Sequence, residues 1–186
     1  MPLPRFERLP ETEKERILAI ARHHFAENGF DGASLNGIAA AAQLSRSAFY
    51  NYFDGKEDLF ASVNAELLTR LADTIGPWKP AEDADSLWRT FAATHERLAA
   101  SLAENPDDRA LLAGLASSPE LKRWIHDAFK NALDLGLVDT TPGRALLEAA
   151  TVGVISAADA AELADPGSVT AADLKGVLTR LWAKQP

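Results

Sequence analysis

The chain has 186 residues, 47% hydrophobic and 25% charged, a balance suited to one large globular domain or two small ones. It contains no cysteine, which excludes disulfides and thiolate metal sites. The net charge is −8, but residues 1–56 hold seven basic and seven acidic side chains while residues 57–186 hold twelve and twenty, which excludes promiscuous charge-driven binding to polyanions and permits a directed contact through a few well-placed cations.

Residues 1–11 carry three prolines and several charges, with no apolar run of the kind a signal peptide needs. No stretch approaches the ~18 consecutive apolar residues of a membrane span, so no membrane partner and a cytoplasmic location are expected. From there on the periodicity is helical, with no alternation of β-branched residues. The first helix is expected over Glu11 to Glu27. Ile17, Ile20, Ala21 and Phe25 form its stripe, and Asn28-Gly29 closes it with a residue suited to a left-handed cap. Ser34 then caps a short helix over Leu35–Ala42, and Ser45 starts another that runs to about Tyr52. Asp54-Gly55 breaks the chain before a long helix from Lys56 to about Ile75.

Gly76-Pro77-Trp78-Lys79-Pro80 and the acidic residues to Asp85 read as a linker. Leu87, Phe91, Leu98 and Leu102 mark a helix to about Glu104. Asn105-Pro106 opens a short one to about Ala116, and Ser118-Pro119 opens the next, ending near Leu135. Another runs from about Pro142 to Leu163. Thr170 and Asp173 form a capping box for the last, to about Lys184. The expectation is an all-α protein of about nine helices, divided into a domain over residues 1–56 and a second over residues 57–186.

The stretch SLNGIAAAAQLSRSAFYNYFDGK, Ser34 to Lys56, carries the chemistry. Two short helices are separated by about three residues. Ala39 and Ala42 are small where the helices must cross, and Ile38, Leu44, Phe49 and Phe53 supply a local core. The second helix leaves Arg46, Ser47, Asn51 and Tyr52 outside. So short a helix cannot hold itself together and must be presented by its neighbours, as a DNA-reading helix is.

In these residues the chain resembles the TetR family of bacterial transcriptional regulators. The shared pattern is Gly29-Phe30, Ser34, Ile38-Ala39, Ala42-Gln43-Leu44-Ser45, Tyr50-Asn51-Tyr52-Phe53 and Lys56, within about residues 11–60. The resemblance implies an N-terminal helix-turn-helix domain and a C-terminal helical domain for ligand binding and dimerisation. It assigns Ser34, Tyr50, Tyr52 and Lys56 to phosphates, Ser45 to capping the reading helix, Arg46 and Ser47 to the groove or its edge, and Asn51 to a base edge. Two positions depart from the pattern. Gln43 stands where the family has its turn glycine; a left-handed glutamine there costs about 1–2 kcal/mol, unless the turn itself differs. Gly37 inside a helix costs about 1 kcal/mol against alanine.

No catalytic or metal-binding constellation is visible. His95-Glu96 lacks the second histidine of a zinc-protease motif, His23, His24 and His126 have no ligand spacing, and phosphate- and dinucleotide-binding loops are missing. The chain is therefore expected not to be an enzyme and to need no cofactor. Leu146, Ala149, Ala150, Gly153, Val154 and Ala157 form a small-residue face. With the stripe Leu174, Val177, Leu178 and Leu181, it offers a homodimer interface through the last two helices, or else intrachain core. Two copies would read a roughly palindromic operator on double-stranded DNA. Trp88, Phe91, His95, Trp124, Ile125 and Phe129 are candidates to line a pocket for a small apolar ligand, with His95 as polar handle, although such an aromatic stripe also suits plain core. The resulting expectation is a repressor released from DNA by a small molecule; control by a protein partner, or none, is the alternative.

Overall fold

The structure is a computed structural model that describes residues 2–113, 119–141 and 143–183. Among the described residues there are ten helices and no strand. They are α1 (Pro4–Glu7), α2 (Glu11–Gly32), α3 (Leu35–Ala41), α4 (Arg46–Phe49), α5 (Lys56–Ile75), α6 (Ala84–Glu104), α7 (Pro106–Leu112), α8 (Pro119–Asp134), α9 (Arg144–Ala164) and α10 (Ala171–Trp182). The expected helix end near Ala116, the Ser118 cap, the start at Pro142 and the end at Lys184 lie outside the described residues. No described helix is long and apolar enough to cross a membrane.

Helices α2–α10 are the nine expected ones; α1 is additional. Pro4 sits in its first turn, where a preset φ helps and no amide is missed. One turn of helix cannot persist alone. It is held by Phe6, which is buried against Phe53 (ring centroids 4.7 Å) and Tyr52 (6.1 Å). The Leu3 amide also donates to the Tyr52 carbonyl at 2.8 Å. The first long helix runs further than expected. Gly29 takes φ +66°, as its place after Asn28 suggested, but the chain then winds one more turn to Gly32. The Ala33 amide closes that turn on the Gly29 carbonyl at 3.2 Å.

The described chain separates into two compact units. The first, the head, contains everything up to Arg70 together with α7. Its core is Ile17, Ala21 and Phe25 from α2, Ile38 and Phe49 from the short helices, Phe53 just beyond them, and Leu59, Val63 and Leu67 from α5. Helix α7 joins through charge. Asp108, only 5% exposed, accepts from Arg70 Nη2 at 2.6 Å and lies 3.3 Å from Arg22 Nε. Glu66 adds a second acid beside both arginines, at 3.4 Å from each. A carboxylate buried this deeply is tolerated because two guanidinium groups compensate it.

The second unit, the body, contains Leu71–Glu104 and the helices from α8 onward. Trp78, Phe91 and Trp124 meet with centroids 5.0–5.5 Å apart. Trp88 stacks on Trp182 at 5.4 Å. The segment read as a linker is strapped down by one side chain. Asn131 Oδ1 accepts from Trp78 Nε1 (3.1 Å) and the Ala81 amide (2.6 Å), and Asn131 Nδ2 donates to the Ala81 carbonyl (3.1 Å). Arg97 caps the end of α5, donating to the carbonyls of Thr74 (3.3 Å) and Ile75 (3.1 Å). The capping box of α10 forms in both directions: the Asp173 amide donates to Thr170 Oγ1 (3.2 Å), and the Thr170 amide to Asp173 Oδ2 (3.0 Å). The Thr170 hydroxyl and amide hold the Asp173 carboxyl below its usual pKa.

Candidate nucleic-acid interface

The two short helices are defined by their caps. Ser34 Oγ accepts from the Gly37 amide at 3.4 Å, and Ser45 Oγ from the Ala48 amide at 3.1 Å. Each serine thereby satisfies a backbone donor that the start of a helix leaves open. Between them the chain reverses at Gln43, with φ +56°. The Gln43 amide bonds to the Ala40 carbonyl (3.0 Å) and the Leu44 amide to the Ala39 carbonyl (2.9 Å), a left-handed helix stop. The family's turn is thus kept, with a glutamine in the strained place. Arg16 of α2, fixed by a bidentate pair with Glu13, donates to the Ala42 carbonyl at 3.0 Å and braces the turn from behind.

Helix α4 is shorter than expected. Regular helix ends at Phe49, and Asn51 and Tyr52 continue as a tighter turn through bonds to the Ala48 (3.1 Å) and Phe49 (2.9 Å) carbonyls. Phe49 and Phe53 anchor this segment in the core with a ring contact at 5.4 Å. Leu44, expected in that core, is only half-buried. What remains outside is polar. Ser34, Gln43, Ser45, Arg46, Ser47, Tyr50 and Asn51 are all exposed. Ser45 and Ser47 hydroxyls meet at 3.1 Å, and the Arg46 guanidinium lies 5.8 Å from the Tyr50 ring centre.

Two expected phosphate-contacting residues sit differently. Tyr52 is half-buried with its ring against Phe6. Lys56 is half-buried too, and its Nζ donates to the carbonyls of Asp31 (3.1 Å) and Ala33 (3.3 Å), 4.7 Å from the Phe30 ring centre. It closes the end of α2 before it can do anything else. At Gly37 an added Cβ would meet Ser34 Cβ at 3.6 Å, and His24 Cε1 and Ser34 Oγ at 3.9 Å, all ordinary contact distances, so packing does not require the glycine.

The body contains a cleft open to solvent. Of the residues expected to line a pocket, Phe91, His95 and Trp124 do so. Trp88, Ile125 and Phe129 do not: Trp88 is stacked on Trp182, while Ile125 and Phe129 are fully buried on the core side of α8. Sequence reasoning missed Thr94, Ile155 and, above all, Asp159. Helix α9 turns Leu147, Thr151 and Ile155 inward at intervals of four, and Asp159 is the next position in that row. The row of fours was the available signal. On the outer side of α9 and α10, Leu146 and Val177 are 66% and 47% exposed, and Ala149, Gly153 and Ala157 are exposed beside Leu146 on α9.

A capped, glycine-free turn between two short helices, with an exposed polar row on the second, defines a helix-turn-helix protein of all-α build. Residues 17–63 match the family model of bacterial regulatory proteins, tetR family. Over 66 residues the chain is 36% identical to the HTH-type transcriptional repressor AcnR of Corynebacterium efficiens, covering 36% of this chain and 35% of that protein. It is 38% identical to the HTH-type transcriptional repressor SCO4008 of Streptomyces coelicolor over the same length, covering 36% and 34%. The chain thus spans about a third of the length of these relatives. A TetR-like transcriptional regulator from Rhodococcus sp. RHA1 superposes with a TM-score of 0.62 at 19% identity, covering 94% of this chain and 96% of that one. A TetR family regulator from Chloroflexus aurantiacus gives 0.58 at 18% identity, covering 97% and 89%. Residues 17–63 are thus similar in sequence to the N-terminal domain of TetR-family regulators, and nearly the whole chain shares the fold of solved structures of that family.

Proposed function

We propose that this protein is a dimeric, cytoplasmic transcriptional repressor that binds a roughly palindromic operator and is released by a small molecule taken up in the body. Residues 1–56 serve DNA binding, and residues 57–186 serve regulation and dimerisation. The observation that carries this reading is the exposed row Ser45, Arg46, Ser47, Tyr50 and Asn51, presented on a segment whose opposite side is locked into the core. Ser34 and Tyr50 anchor phosphates, Arg46 and Ser47 face the groove, and the Asn51 amide reads an adenine edge. Lys56 and Tyr52 contribute from the margin, Lys56 through the one ammonium hydrogen that the two carbonyls leave over. One such segment reads too few base pairs for useful specificity, which favours a dimer. The exposed apolar side chains of Leu146 and Val177 supply a face for it.

The test is binding to DNA from upstream of its own gene, across a salt series. A strongly salt-dependent affinity is expected. Asn51→Ala should then lose about 1–3 kcal/mol on the operator and little on random DNA. Absence of salt-dependent binding, or equal losses on both DNAs, would overturn the assignment.

A further inference from the structure

The body cleft has apolar and aromatic walls, with Thr94, His95 and Asp159 as its polar lining residues. Asp159 is half-buried there and makes no hydrogen bond or ion pair among the described residues. Neither lysine nor arginine lines the cleft. Burial pushes the Asp159 carboxyl up to about 6, with His95 as the opposing influence, so the group still carries its charge at neutral pH. A carboxylate held half out of water without a partner is costly, and any ligand that dries it further without compensating it adds to that cost. An anion would be repelled outright.

Resting on the reading of the body as a ligand sensor, we propose that the cleft takes a hydrophobic organic cation. Its positive head meets Asp159, and its apolar part lies against Phe91 and Trp124. The two rings, with centroids 5.1 Å apart at near-perpendicular planes and more than nine-tenths buried, give that part of the ligand a rigid apolar wall. Such a ligand supplies the full positive charge that no lysine or arginine of the cleft provides, and this is where its selectivity over a neutral molecule of equal shape arises. His95, on α6, is the other titratable side chain lining the cleft. Its protonation would repel the same ligand.

Phenyltrimethylammonium and tert-butylbenzene have the same shape and differ in charge, which makes them the probes. Binding of each to the whole protein is followed at pH 7.5 by tryptophan fluorescence. The cation should bind at least about tenfold more tightly. Asp159→Asn, an isosteric change, should abolish that preference. In the unaltered protein, affinity for the cation should fall as pH drops through about 6 while that for the neutral probe stays level. Equal or tighter binding of tert-butylbenzene, binding of neither probe, or an unchanged ratio in Asp159→Asn would each overturn the inference. Operator occupancy in the same samples separates it from the reading it rests on. A cation that binds through Asp159 without releasing DNA refutes release by that ligand and leaves the cation site standing.

Discussion

Lys56 has an observed anchoring role and a proposed phosphate contact, and substitutions at this position test both. In the free protein its ammonium donates to the Asp31 and Ala33 carbonyls at 3.1 and 3.3 Å and sits 4.7 Å from the Phe30 ring centre. Lys56→Met keeps the stem and removes all three interactions. Charge-assisted bonds that remain partly exposed to water are worth at most about 0.5 kcal/mol each in this position, below the range for buried ones, and the aromatic contact adds about 0.5. The head should lose up to about 1.5 kcal/mol. For a protein of this size that lowers the midpoint of thermal unfolding by up to about 3–6 °C. All four tryptophans lie in the body, so their fluorescence is insensitive to a change confined to the head, and far-UV circular dichroism is the readout. The same variant should flatten the slope of log affinity against log salt by about 0.9 per head if the third ammonium hydrogen meets a phosphate. An unchanged melt would refute the anchoring, and an unchanged slope would refute the phosphate contact. Lys56→Arg retains the charge and serves as the control for the slope.

Gln43→Gly should remove the cost of a left-handed side chain and raise stability by about 1 kcal/mol, read as a higher urea midpoint; a loss of stability would show that the glutamine makes an overriding contact. Asp108→Ala should cost about 2–4 kcal/mol, since it leaves Arg22 and Arg70 facing each other with only Glu66 between them. A urea midpoint within error of the parent would sink the claim that α7 is held by charge.

What the sequence disclosed follows the range of the interactions involved. Serine caps, the capping box at Thr170 and the left-handed Gly29 are local events, complete within four residues, and all were legible. The turn at Gln43 was legible as a choice between strain and a different geometry, and the structure takes the strain. The Arg16 brace on Ala42, the Asn131 strap on Ala81 and the Asp108 cluster span 26, 50 and up to 86 residues, and no periodicity announces such pairings. Asp159 was hidden for a different reason. One of three acids on an alanine-rich helix, it reads as solvent-facing until the inward row at positions 147, 151 and 155 is seen to point at it. Lys56 was read as a phosphate contact, while its carbonyl partners were not legible, because they belong to a turn that exists only after Gly29 has redirected the helix.

The head is not contiguous along the chain. Helix α7 returns from more than thirty residues away and places Asp108 between two head arginines. A cassette cut at residue 56 or 70 would carry the proposed DNA-reading surface without the acid that neutralises its inner side. Exchanging operator specificity between such proteins by transplanting the N-terminus alone would therefore pair Arg22 with whatever the recipient offers at the position of Asp108. A working chimera must move α7 along with the head, or supply a matching acid.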